Sequence, residues 1–294
     1  MKLKVILNKD IAFSGFVRNV VHLGIYEWIR KWQKGPLKKV SMQLAKKASI
    51  IFNFYFTYER NPIKDINNWL ERSKAILFDL EKFHNKQWKL FKNEIKILGK
   101  NMNELIEKYG DFILKIIPEK TKIPWKYKET WIIPSIYYGS TTEDNKIFVG
   151  VCRPIRELAI EKRIPGLVHE LIHVNEQEKF LSRFSKEELI KYVLEEKSKF
   201  KFPNLTREIT TMIISNSVIE AIEKRFNLRL EKQSSHPHYK NLIKVLGKDF
   251  IKKCEGNGFE QTRKFLDDLI YKKKFRKAYK VLDVLADFGA NLLV

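Results

Sequence analysis

Apolar residues in the first 120 positions recur at helical spacing. Ile11, Val17, Val21, Ile25 and Ile29 follow Asp10, a residue suited to capping a helix that runs toward Trp32. Met42 to Tyr58 and Asn67 to Leu98 carry two more such patterns, the second rich in Leu, Ile, Phe and Trp. Asn101 or Asn103 then offers the cap of a helix through Leu114, which Pro118 is expected to stop.

The texture changes at Ile123. The stretch WIIPSIYYGSTTEDNKIFVGVC, Trp131 to Cys152, has two β-branched and aromatic runs around a polar turn, Gly139 to Asn145. It predicts antiparallel strands over Trp131 to Tyr138 and Lys146 to Cys152. Pro134 marks the first strand as interrupted or partly at an edge. From Pro165 onward the pattern is helical again, with breaks near Arg183 to Ser185, Phe202 to Asn204 and Ser234 to Pro237. There is no internal repeat and no Gly/Ser linker. The expected fold is α+β and predominantly helical, with a small mixed sheet. A helical N-terminal region (1–122), a central region (123–230) and a helical C-terminal region (231–294) are expected within one compact unit.

The chain has 294 residues, of which 44% are hydrophobic, enough for a sizeable core and unlike a disordered composition. Its two cysteines, Cys152 and Cys254, lie far apart, which argues against a disulfide framework and suits a reducing cytoplasm. Lys4, Lys9, Asp10 and Arg18 interrupt the N-terminal apolar run, so no signal peptide is expected there. No window of about 18 residues is free of charge and apolar throughout, so no membrane span is expected.

Lys and Arg number 57 against 35 Asp and Glu, a net charge of +22. That excess admits nucleic acid as a partner. The even spread of the basic residues favours instead a lysine-rich surface, and only YKKKFRKAYK, Tyr271 to Lys280, concentrates them. No glycine-rich phosphate loop, nucleophile elbow or RNA-binding signature is present.

The chemistry concentrates in GLVHELIHVNEQ, Gly166 to Gln177. On a helix, His169 and His173 stand one turn apart on one face and can present two imidazole nitrogens to a single ion. Glu170 lies beside them, placed to take a proton from water activated by that ion. Leu167, Val168, Leu171, Ile172 and Val174 supply an apolar setting. His22 and His84, in amphipathic stretches, read as ordinary surface or core residues.

HELIH resembles the active-site helix of the zincin metallopeptidases. The strands before it resemble their upper subdomain, in which an edge strand binds extended substrate just ahead of that helix, and this implies that Lys146 to Cys152 is an edge strand. The resemblance covers roughly Trp131 to Phe226. It implies a zincin-like catalytic core with large helical N- and C-terminal additions, a Zn²⁺ cofactor, and a peptide or protein substrate. The alternative is a zincin-like binding protein without peptidase activity, whose basic surface contacts nucleic acid.

A catalytic zinc takes three protein ligands. The metzincin pattern wants a histidine where this chain has Lys179, and Cys152 in GVCRP does not match the cysteine motif of peptide deformylases. The gluzincins take a glutamate from a later helix, for which Glu196, Glu208 and Glu220 are available. Over Asn204 to Phe226, Met212, Ile219, Ile222 and Phe226 fall within about 40° of Glu208, so its carboxylate shares the apolar side. Thr211 and Ser215 lie on that side too, where they can hydrogen-bond around a metal. Glu220 falls about 120° away with Asn216, Ser217 and Lys224, on what reads as a wet face. Glu196, beside Glu195 and Lys197, reads as a solvated helix end and is the rival. The REITT segment also resembles the glutamate helices of thimet-type oligopeptidases. A gluzincin further needs a His or Tyr donor for the oxyanion. His236, His238 and Tyr239 in SSHPHYK offer one, with His238 and Tyr239 preferred, although a surface loop without a role reads equally well.

Overall fold

The computed structural model describes residues 1–25, 43–45, 66–136, 140–143, 145–151, 160–176, 202–230 and 247–271. Its strands are β1 (Lys2–Val5), β2 (Glu129–Ser135), β3 (Ser140–Glu143) and β4 (Lys146–Gly150). Its helices are α1 (Lys9–Ile25), α2 (Ile66–Leu90), α3 (Lys92–Thr121), α4 (Ile164–Glu176), α5 (Phe202–Phe226), α6 (Lys248–Asn257) and α7 (Phe259–Tyr271). The architecture is predominantly helical with one small mixed sheet, as the α+β reading expects. Among the described residues, no helix is long and apolar enough to cross a membrane. Most of the helix expected over Met42 to Tyr58, and the breaks expected near Arg183 to Ser185 and Ser234 to Pro237, lie outside the described residues.

The sheet runs in the order β1-β2-β4-β3. β2 and β4 are parallel, with Trp131 opposite Lys146 and Ser135 opposite Gly150. The Lys2 and Ile6 amides donate to Lys128 and Ile132 carbonyls, so β1 also runs parallel to β2. Only β3 is antiparallel, pairing Thr141 with Phe148 and Thr142 with Ile147.

Two expectations fail here. The strands expected as an antiparallel hairpin are parallel neighbours, and Lys146–Gly150 is an inner strand paired on both flanks. The physical reason is composition. Ile147, Phe148 and Val149 are all buried, which suits a central strand. The polar STTE segment, read as part of a turn, forms edge strand β3 instead. Pro134, by contrast, fits its inner strand. Its missing N–H faces the β1 side, and the Ile6 amide to Ile132 carbonyl bond is the last from that flank.

Helix ends also depart from the sequence reading. Asn8, not Asp10, caps α1, with its Oδ1 accepting from the amides of Asp10 (2.9 Å) and Ile11 (3.0 Å). The inward stripe of α1 is Ala12, Phe16 and Val20. α3 does not stop before Pro118 but runs through it to Thr121. Proline removes the amide that would bond the Leu114 carbonyl, and the Trp125 indole N–H donates to that carbonyl at 2.7 Å. Lys122, at φ 59, then closes the helix. Along α3, Ile95, Leu98, Met102, Leu105, Tyr109, Ile113 and Ile116 form one buried stripe.

The contacts divide the chain into two units, each discontinuous in sequence: residues 1–3, 104–130 and 159–293, and residues 4–103, 131–158 and 294. In the second unit, α1 lies on the sheet, and Ala12, Ile133 and Phe148 form a core flanked by Ile6, Ile11, Trp88 and Trp131. The approach is close. A Cβ at Gly15 would stand 2.5 Å from Phe148 Cδ1 and 2.7 Å from its Cγ. Helix propensity alone makes Gly→Ala favourable by up to about 1 kcal/mol. Overlap with a fully buried ring should reverse that sign, so Gly15→Ala is expected to lose about 1–3 kcal/mol. Urea unfolding measures the difference, and a raised midpoint would contradict the packing.

His84 in the same unit is a core residue. It is fully buried, neither ring nitrogen has a hydrogen-bond partner among the described residues, and Phe13, Phe16 and Trp88 surround the imidazole at 5.3–5.6 Å between centroids. Burial, aided by the nearby Lys9 charge, lowers its pKa from 6.5 to about 4. Between those values the unfolded chain binds the proton and the folded one does not. Stability is therefore full above pH 6.5 and falls as the pH drops toward 4. From pH 7.5 to 4.5 the wild type should lose about 2–3 kcal/mol more than His84→Leu. Equal acid sensitivity in urea melts would refute this.

Candidate metal centre

The 3-10 turn Ile160–Arg163 leads into α4, whose second residue, Pro165, needs no intrahelical partner for its nitrogen. The turn is anchored at Glu161, whose Oε1 accepts from Tyr109 Oη at 3.0 Å and Lys108 Nζ at 3.3 Å. A hydrogen bond from its own backbone, helped by those two side-chain bonds, holds the Glu161 pKa down against burial. Every residue of α4 except Gly166 is buried, so the helix is enclosed on all sides. His169, Glu170 and His173 are 9%, 6% and 4% exposed.

His169 Nε2 and His173 Nε2 lie 3.0 Å apart, with the ring planes at 81°. Two bare imidazole lone pairs repel at that separation, so either a proton or a cation must stand between them. A tetrahedral ion about 2.0–2.1 Å from each nitrogen needs them roughly 3.3 Å apart. The pair fits such an ion with a shift of a few tenths of an ångström. Thr211 Oγ1, on α5, stands 3.5 Å from His173 Nδ1. A proton on Nδ1 directed at that hydroxyl leaves the Nε2 lone pair facing His169.

α5 packs against α4, α6 and α7 within this unit. Its residues Ile209 to Ile219 are buried without exception, so Asn216 and Ser217, read as wet, are not. Glu220 is exposed, as expected. Of the two hydroxyls expected around a metal, Thr211 reaches His173, whereas the buried Ser215 Oγ has no partner among the described residues. Glu208 sits on α5 one turn before Thr211, and its side chain lies outside the described residues. Glu196, His236, His238 and Tyr239 lie outside them entirely. Among the described residues, no group of three or more His, Cys, Asp or Glu is placed to hold an ion.

Sequence reasoning missed the polar residues that follow the histidines. Asn175 Nδ2 donates to Thr121 Oγ1 and the Ile123 carbonyl, tying α4 to the end of α3. The Glu176 carboxylate is ion-paired with Arg207 of α5 and, at 3.5 Å, with Arg263 of α7. Spacing offered a signal for Glu176, which stands three residues after His173 on the same face. Compared with known protein families, curated proteins and solved structures, the chain matches none of them.

Proposed function

We propose that this protein is a zinc-dependent metallopeptidase of the gluzincin type that hydrolyses peptide bonds. The observation that carries this reading is the convergence of His169 Nε2 and His173 Nε2 to 3.0 Å on one buried helix, with Glu170 adjacent to His169. His169 and His173 would hold Zn²⁺, with Glu208 of α5 as third protein ligand. Zinc so held supplies a Lewis acid that lowers the pKa of water toward neutrality. Glu170 would take the proton of the attacking water and pass it to the leaving amine nitrogen. Thr211 would fix the tautomer and tilt of His173. His238 or Tyr239 would donate to the oxyanion as the carbonyl becomes tetrahedral.

The test is metal content joined to turnover. Purified protein should carry about one zinc per chain. Digestion of an unfolded protein substrate should stop on chelation and resume when zinc is restored. Metal-free protein that takes up no zinc removes the reading.

A further inference from the structure

The ionic cluster of Glu176, Arg207 and Arg263 lies beside the histidine pair, and the proposed hydrolysis does not use it. His169, His173 and Glu176 leave α4 within about 60° of one another, and Glu176 is about 4.5 Å further along the axis than His173. The Glu176 carboxylate is divided: Oε2 accepts from Arg207 Nε and Oε1 from Arg263 Nη1. The three side chains are 4%, 20% and 13% exposed. Arg207 Nη2 is buried and donates to nothing among the described residues.

A guanidinium is shaped to give a carboxylate two parallel bonds. Arg207 makes one of them, because Glu176 sends its second oxygen to Arg263. An unmade donor on a buried cation costs free energy, and a second carboxylate would complete the fork. One residue of extended peptide spans about 3.3–3.6 Å. A substrate whose scissile carbonyl stands at the histidine pair thus brings a carboxylate one or two residues away to the level of Arg207.

We propose that Arg207, oriented by Glu176, binds a carboxylate of the peptide substrate one or two residues from the bond that is cut. This rests on the zinc-peptidase reading and names its substrate class. The carboxylate is either the free C-terminus of a short peptide or an acidic side chain.

Zinc-loaded Glu170→Gln protein binds substrate without cutting it, so calorimetry can rank three N-acetylated pentapeptides of Ala and Phe. One has a free C-terminal carboxylate, one is amidated, and one is amidated with Glu as its last residue. A peptide bearing the recognised carboxylate should bind about 10–100-fold tighter than the plain amide. The free acid or the Glu peptide, whichever is favoured, identifies the source. Arg207→Gln in the same background should erase the difference, and Arg207→Lys should keep part of it. If Arg207→Gln fails to fold, the ranking of the three peptides still decides. Peptides that bind alike, or not at all, to zinc-loaded protein overturn this inference and leave the peptidase reading standing. Protein that takes up no zinc overturns both.

Discussion

Glu170→Gln is expected to cut peptide hydrolysis by about 10²–10⁴-fold while zinc content stays at one per chain. Glutamine has nearly the same volume and keeps one carbonyl oxygen, so the buried site should hold its shape. What is lost is a group that can receive the proton of water and release it to the leaving amine. Glu170 follows His169 directly and is therefore turned about 100° from it and about 60° from His173 around the helix, at the flank of the face that carries the two histidines. That placement suits a base beside the ion rather than a third ligand on it. The two roles predict opposite results. A base leaves zinc in place and loses turnover, whereas a ligand loses both. Zinc analysis and peptide turnover on the same preparation distinguish them. A variant that keeps turnover within a few-fold of wild type would remove Glu170 from the chemistry.

What the sequence disclosed was local. The four-residue spacing of His169 and His173, the apolar residues around them and the period of the α3 stripe are all properties of a single helix, and each is legible within a dozen residues. What it withheld was long-range. Whether Lys146–Gly150 lies at an edge depends on where Ser140–Glu143 pairs, and four polar residues carry little signal for a strand. Pro118 would end a helix unless another donor reached the Leu114 carbonyl, and that donor is an indole from beyond the helix end. Asn216 and Ser217 read as wet because they are polar, yet α5 is enclosed on all sides there. Arg263 meets Glu176 from a helix 87 residues away, a pairing that no local pattern encodes.

The third ligand shows the same limit, since helical phase can rank glutamates without placing one at the ion. Glu208→Ala is expected to weaken zinc binding by more than about 100-fold, above the 10–100-fold that loss of an outer-shell partner costs. α5 packs on α4, and Thr211, three residues after Glu208, already stands at His173 Nδ1. Positions three apart share a helix face, so the Glu208 backbone lies one turn from that contact on the same face. Arg207, next to it, is tied to Glu176 of α4, which fixes the rotation of this turn of α5 relative to the histidine helix. Thr211→Val should cost less, on the order of 10-fold, because it removes only the group facing Nδ1. Glu196→Ala should bind zinc like wild type. Competition against a chromophoric chelator measures all three on one scale. If Glu196→Ala loses zinc while Glu208→Ala keeps it, the ligand comes from the segment between α4 and α5, and the gluzincin assignment of Glu208 fails.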